Sequence, residues 1–204
     1  GQADPCWRPE RFAEIKDWQG LGLSIVLPSF FDPGESALQM AISDAAEHVR
    51  AYPNKNILID IRGNTGGDFL RTMPLIDAIS ENTSRRVVML VDKFTFSAAI
   101  VFVAILNYRL GRRLTLIGEE MGDGLTFFAE GGLLDLPVSG AVVRYSSAFH
   151  DWENGTSNQT TPADIARYLV PAGKLTLDRE WVGRPMAETA QEAFYQHFLG
   201  ALND

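Results

Sequence analysis

Residues 21–118 alternate short runs that are apolar on both faces with stretches whose apolar residues recur at helical spacing, and few folds accept that pattern. Residues 21–27, stopped by Pro28, read as a strand, and Asp32-Pro33-Gly34 reads as a turn. Leu38, Ile42, Ala45 and Val49 then fall on one helical face, which Pro53 ends. Residues 57–61, 87–91 and 114–117 read as further strands. Between them, Phe69, Met73, Ile76 and Ile79 have helical spacing, with Pro74 in the first turn or at a kink. Residues 97–109 form a helix that is apolar nearly all round. Strands buried on both faces and joined through helices imply an α/β domain: a mainly parallel sheet covered by helices.

The flanks are less regular. Residues 1–19 mix Pro, Trp and charges, and read as an entry segment, the end of an upstream domain, before a core of residues 20–204. Trp7 and Trp18 there either face that neighbour or cap the core. Residues 133–136 and 141–145 suit a hairpin turned at Ser139-Gly140. Residues 151–163 are the longest polar loop, and residues 188–202 a final helix with Ala190, Phe194, Phe198 and Leu202 at core spacing.

Composition narrows the function classes. A chain of 204 residues that is 46% hydrophobic can bury a sizeable core. Its net charge of −8, with no Lys/Arg cluster, argues against nucleic acid and anionic membrane surfaces as partners. The lone Cys6 permits no internal disulfide and no cysteine metal site, and His48, His150 and His197 show no ligand spacing, so no metal is expected. No apolar run reaches membrane-span length, so no transmembrane segment is expected.

Two segments can carry chemistry. Asp60-Ile61-Arg62-Gly63-Asn64-Thr65-Gly66-Gly67 follows a buried strand and opens a helix. Paired glycines there allow a tight turn and leave N–H groups open to a negative oxygen. The same residues also suit a plain strand-to-helix turn, with Asp60 and Arg62 as a structural pair. Thr95-Phe96-Ser97-Ala98-Ala99 lies at the next such junction. Ser97 is either an N-cap or a hydroxyl exposed at the carboxyl end of the sheet, with the Ala98 N–H beside it. Together the two loops place a nucleophile beside preorganised donors, the arrangement acyl transfer needs.

The run from Leu58 to Gly67 resembles the L-I-x-D-L-R-x-N-x-G-G signature of the tail-specific (C-terminal processing) serine peptidases and the tricorn protease core. Residues 91–99 are similar to the nucleophile segment of that family, Ile117-Gly118-Glu119 to its V-G-E strand end, and Leu27-Pro28-Ser29-Phe30 to the segment before its first core helix. The resemblance implies a crotonase/ClpP-like fold of repeated strand-strand-helix units. It also implies peptide-bond hydrolysis of peptide or protein substrates without metal or cofactor, in a periplasmic or secreted setting. It assigns Ser97 as nucleophile and Gly66, Gly67 and Ala98 as oxyanion donors.

The chain departs from that family at the base. Asp123 stands where tail-specific members carry a lysine, and Ile100 where many carry a glutamate. An Asp cannot copy a desolvated lysine that accepts the serine proton. His150, next to Asp151 in a segment that can reach the site, is the candidate base within the chain, and an upstream domain is the other source. Glu119 and Glu120 suit either a substrate amine or solvent. Two rivals remain: a non-catalytic relative binding peptides or small apolar ligands in the same cleft, and a crotonase-type enzyme, which coenzyme A binding would distinguish.

Overall fold

The computed structural model describes residues 12–32, 36–81, 85–183 and 187–203. Cys6, Trp7 and the Pro33-Gly34 turn lie outside the described residues. In chain order the elements of the main sheet are β1 (Glu14–Trp18), β2 (Gly22–Val26), α1 (Ala37–Ala51), β3 (Ile57–Asp60), a 3-10 turn (Phe69–Thr72) running into α2 (Met73–Ser80), β4 (Val87–Val91), α3 (Ala98–Leu110) and β5 (Leu114–Gly118). Pro74 sits in the first turn of α2, where its missing N–H breaks no helical bond. Two antiparallel pairs follow: β6 (Thr126–Ala129) with β9 (Ala148–Asp151), and β7 (Gly132–Asp135) with β8 (Val142–Tyr145). The chain closes with α4 (Ala163–Ala166), β10 (Arg179–Glu180) and α5 (Glu188–Gly200).

The six-stranded sheet has the order β1-β2-β3-β4-β5-β10, parallel throughout except for β1, which runs antiparallel to β2. This is the mainly parallel, helix-covered α/β sheet expected from the alternating sequence. The segment read as an entry therefore supplies an edge strand, and Trp18 caps the core, its indole N–H donating to the Ser24 hydroxyl at 2.8 Å.

Consecutive strands lie side by side, so crossovers of one hand put α1, α2 and α3 on the same face. Side-chain alternation along each strand then divides the core in two. Ile57, Ile59, Val87, Met89 and Val91 pack with the three helices. Leu58, Val88, Leu90 and Ile117 pack on the other face with Phe194, Tyr195, Phe198, Leu199 and Leu202 of the α5 segment. The expected α5 stripe is thus corrected at one position: Ala190 is exposed, and Tyr195 and Leu199 bury beside Phe194, Phe198 and Leu202.

Helix α3 is apolar nearly all round, and most of it is buried. Ala98 through Leu106 are buried in the larger core, which also holds Trp152 and Ile165 and has Val170, Ala172, Leu175 and Leu177 packed against it. Asn107 ties the end of α3 to the segment after α4, donating from Nδ2 to the Ala172 carbonyl at 3.2 Å. Loop 151–163 is pinned at its root. The Asp151 carboxylate accepts from Asn154 N at 2.9 Å and from the Thr156 hydroxyl at 2.6 Å, and Trp152 is fully buried.

Candidate active site

Strands β2, β3, β4 and β5 end on one edge of the sheet, and the loops that leave them converge there. Asp92 gathers the first turn of the β4–α3 loop. Its Oδ1 accepts from Gly63 N at 2.9 Å and from Phe94 N at 3.0 Å. Thr95 is buried, and its carbonyl accepts from Gly122 N at 3.1 Å, which ties in the loop after β5. The stretch Lys93–Phe96 is thereby held between its two neighbouring loops.

At the end of this stretch, Ser97 enters α3 at φ 54° and ψ −124°. A positive φ of this kind suits glycine, and a serine holds it only where its surroundings impose it, at a cost of about 1–3 kcal/mol. Ser97 occupies the N-cap position of α3, but its side chain makes no capping hydrogen bond. The hydroxyl is left partly exposed on a sharp strand-to-helix turn.

The glycine pair lies against this turn. Gly66, at φ 103°, has no room for a side chain: a Cβ there would stand 2.8 Å from Ser97 Cβ and 2.9 Å from Ala98 N. Gly67, at φ 135°, is closed in the same way by the backbone of Phe30. The two roles then separate. Gly66 N–H donates to Asn64 Oδ1 at 2.9 Å. Gly67 N–H and Ala98 N–H have no acceptor among the described residues, and Gly66 brings the glycine turn against Ser97 and Ala98. Ala98 begins α3, whose first N–H groups have no intrahelical partner and whose dipole favours negative charge.

Asn64 was one letter of a motif in the sequence, yet its side chain holds the turn together. It is fully buried, donates from Nδ2 to the Leu27 carbonyl at 2.9 Å, and accepts from Gly66 N. Its own carbonyl accepts from Phe96 N at 3.0 Å. One residue thus links the end of β2, the glycine turn and the residue before Ser97. Among the described residues, Asp60 and Arg62 take the structural alternative. The Arg62 guanidinium bonds the Asp60 carboxylate at 2.8 and 2.5 Å, and the Tyr195 hydroxyl donates to the same carboxylate at 2.5 Å.

His150 is buried on β9. Its ring stacks on Phe127, its Nδ1 accepts from the Trp152 indole at 3.4 Å, and its Nε2 stands 3.5 Å from Glu130 Oε1. Ser97 is not among these contacts. Burial lowers its pKa below the ordinary histidine value, against the opposing pull of Glu130. Asp123 lines a cavity of about 640 Å³ beside the loop after β5, with Glu120, Glu153, Glu180 and Lys174 on its walls and Leu116, Met121 and Leu125 among its apolar lining. Among the described residues no group of three or more His, Cys, Asp or Glu side chains is placed to hold a metal ion. No described helix is long and apolar enough to cross a membrane.

No protein-family model matches the sequence, and no curated protein sequence matches it. Solved structures do match. A Bacteroides fragilis protein assigned to the S41 proteases aligns over 94% of this chain and 58% of its own, at 15% identity and a TM-score of 0.55. A Streptococcus agalactiae lipoprotein aligns over 95% and 71%, at 12% identity and a TM-score of 0.52. A Parabacteroides merdae protein assigned as a peptidase aligns over 98% and 67%, at 17% identity and a TM-score of 0.51. The chain therefore spans between 58% and 71% of the length of these structures. At such identities the likeness is one of architecture, and the chain has a fold similar to that of S41-type proteases.

Proposed function

We propose that this chain is the core of a serine-type peptidase that cleaves peptide or protein substrates through an acyl-enzyme on Ser97. One observation carries the reading: an uncapped serine on a strained turn, with two unpartnered backbone N–H groups next to it. In the proposed reaction Ser97 Oγ bonds to the scissile carbonyl carbon. The negative charge that develops on the carbonyl oxygen is met by Gly67 N–H and Ala98 N–H, with Gly66 as the spacer that lets them approach. Collapse of that intermediate breaks the C–N bond, the amine leaves with a proton, and water then releases the acyl group from Ser97. No metal or cofactor takes part.

His150 is the proposed proton acceptor from within the chain. For that role its Nδ1, the ring nitrogen that bears the lone pair, must leave the Trp152 indole to take the Ser97 proton, and the resulting imidazolium keeps its Nε2 proton facing Glu130. A periplasmic or secreted setting follows from the family resemblance and belongs to the same proposal.

The test is covalent labelling with a fluorophosphonate, using Ser97→Ala and His150→Gln as variants. The reading expects labelling that Ser97→Ala abolishes. Labelling that survives His150→Gln moves the base to another group. A folded chain that takes no label overturns the peptidase reading and leaves the cleft as a peptide-binding surface.

A further inference from the structure

The cavity beside the loop after β5 encloses about 640 Å³, a volume that takes a small ligand or a peptide side chain. Gly122 joins it to the nucleophile turn. The Gly122 N–H donates to the Thr95 carbonyl at 3.1 Å, and a Cβ there would stand 2.5 Å from the Lys93 carbonyl oxygen and 3.3 Å from the Phe96 ring. Its neighbours Met121 and Asp123 line the cavity. One loop therefore separates the cavity from the residue before Ser97.

Two kinds of surface meet in it. Leu116, Met121, Leu125, Leu175 and Leu177 supply an apolar part. Glu120, Asp123, Glu153 and Glu180 bring four carboxylates against the single ammonium of Lys174. Among the described residues none of these charges is in an ion pair, and their one side-chain hydrogen bond is accepted by Asp123 Oδ1 from Gly124 N at 2.8 Å. Carboxylates alone would form a solvated rim. Nor are they grouped for a metal ion, since among the described residues no three His, Cys, Asp or Glu side chains are so placed. An apolar wall beside carboxylates that nothing neutralises matches a ligand with an aliphatic stem and a cationic tip.

We propose that this cavity receives a lysine or arginine side chain of the peptide substrate. The stem covers Leu116, Met121 and Leu125, and the cation meets the carboxylates, with Lys174 as the competing charge. The net charge of −8 steers basic peptides towards the chain. That the ligand is a peptide rests on the peptidase reading, whereas the selectivity for a basic side chain comes from the cavity itself.

The experiment is a fluorescence-anisotropy titration with two fluorescein-labelled alanine hexapeptides that differ at one central residue, lysine in one and norleucine in the other. Norleucine keeps the stem and removes the cation. The Ser97→Ala chain is used, so that no turnover intervenes. The lysine peptide should bind about tenfold tighter at about 50 mM sodium chloride, and the gap should narrow at about 500 mM. Glu120→Gln with Asp123→Asn should close most of the gap. Both residues are exposed, and asparagine can still accept from Gly124 N, so the fold is kept. Asp44→Asn with Glu47→Gln, exposed on α1, changes the net charge equally and should leave the gap open. The proposal is overturned by equal affinities for the two peptides, by no binding of either, by a gap that survives the cavity variant, or by one that both double variants close alike. Fluorophosphonate labelling of the native chain keeps the two readings apart. A labelled chain without lysine preference sinks the cavity assignment alone, and a lysine preference in a chain that takes no label sinks the peptidase alone.

Discussion

Ser97 carries a backbone conformation that glycine would hold without strain, and this separates two substitutions that both remove the hydroxyl. Ser97→Ala keeps the Cβ and the strain at φ 54°, so its stability should stay within about 0.5 kcal/mol of the native chain. Ser97→Gly relaxes the turn and should raise stability by about 1 kcal/mol, read as a higher urea midpoint. Equal midpoints for the two variants would show that the turn stores no strain. His150 sets a second residue-scale expectation. Its pKa is lowered by burial, so below the ordinary value near 6.5 the unfolded chain binds the proton more readily than the folded one. The stability that depends on a neutral His150 is therefore complete above that value. It is lost as pH falls, at no more than ~1.4 kcal/mol per pH unit, until the folded ring also protonates. His150→Gln should flatten the fall of the urea midpoint as pH drops below about 6.5. What the sequence conveyed at this scale was residue type and order: Ser97, the glycine pair and Ala98 were legible from the motif. The partner of each N–H was not, because Asn64 reaches across 37 residues of chain to the Leu27 carbonyl, and only folding reveals which glycine N–H it consumes.

At the scale of elements, the periodicity that identified α1, β3 and β4 worked because each buries a single, regular set of side chains. Leu38, Ile42, Ala45 and Val49 are all buried on α1, and β4 occupies residues 87–91 as read. Strand β1 escaped notice because its burial alternates at an edge, with Glu14 and Lys16 facing water among charges that mask the period. Helix α5 was legible as amphipathic, but not its attachment. Its Tyr195 hydroxyl donates to the buried Asp60–Arg62 ion pair at the end of β3. Burial, and then the neighbouring Asp60 carboxylate, hold the phenol far above its usual pKa, so it remains a donor through the physiological range. Tyr195→Phe removes a hydrogen bond to a charged, buried acceptor and should cost about 1.5–3 kcal/mol. Because Arg62 still pairs with Asp60, the loss should appear as faster amide exchange in α5 ahead of any loss in the sheet. Uniform acceleration across the sheet would place the anchor elsewhere.

For the molecule as a whole, the sheet separates two cores of unequal weight. Residues 57–61 were read as a strand buried on both faces, but a continuous apolar run does not say what covers each face. In the structure Ile59 points into the large core beneath α1, α2 and α3, while Leu58 points to the smaller one under α5. The two neighbours thus report on different units of folding. Either one changed to Ala deletes a fully buried side chain and should cost about 2–5 kcal/mol. The distribution of the damage should differ. The α1–α3 core is built from consecutive strand-helix units, whereas α5 returns from the far end of the chain and docks by its Phe194, Tyr195, Phe198 and Leu199 side chains. Undocking α5 exposes that face without breaking any strand pairing, so it can open below the free energy of global unfolding. Leu58→Ala should accordingly raise hydrogen exchange in α5 first and leave α1 and α3 protected. Ile59→Ala should lower protection throughout the sheet and its three covering helices. If both substitutions accelerate the same amides to the same extent, the two cores open as one cooperative unit, and α5 belongs to that unit together with the strands it covers.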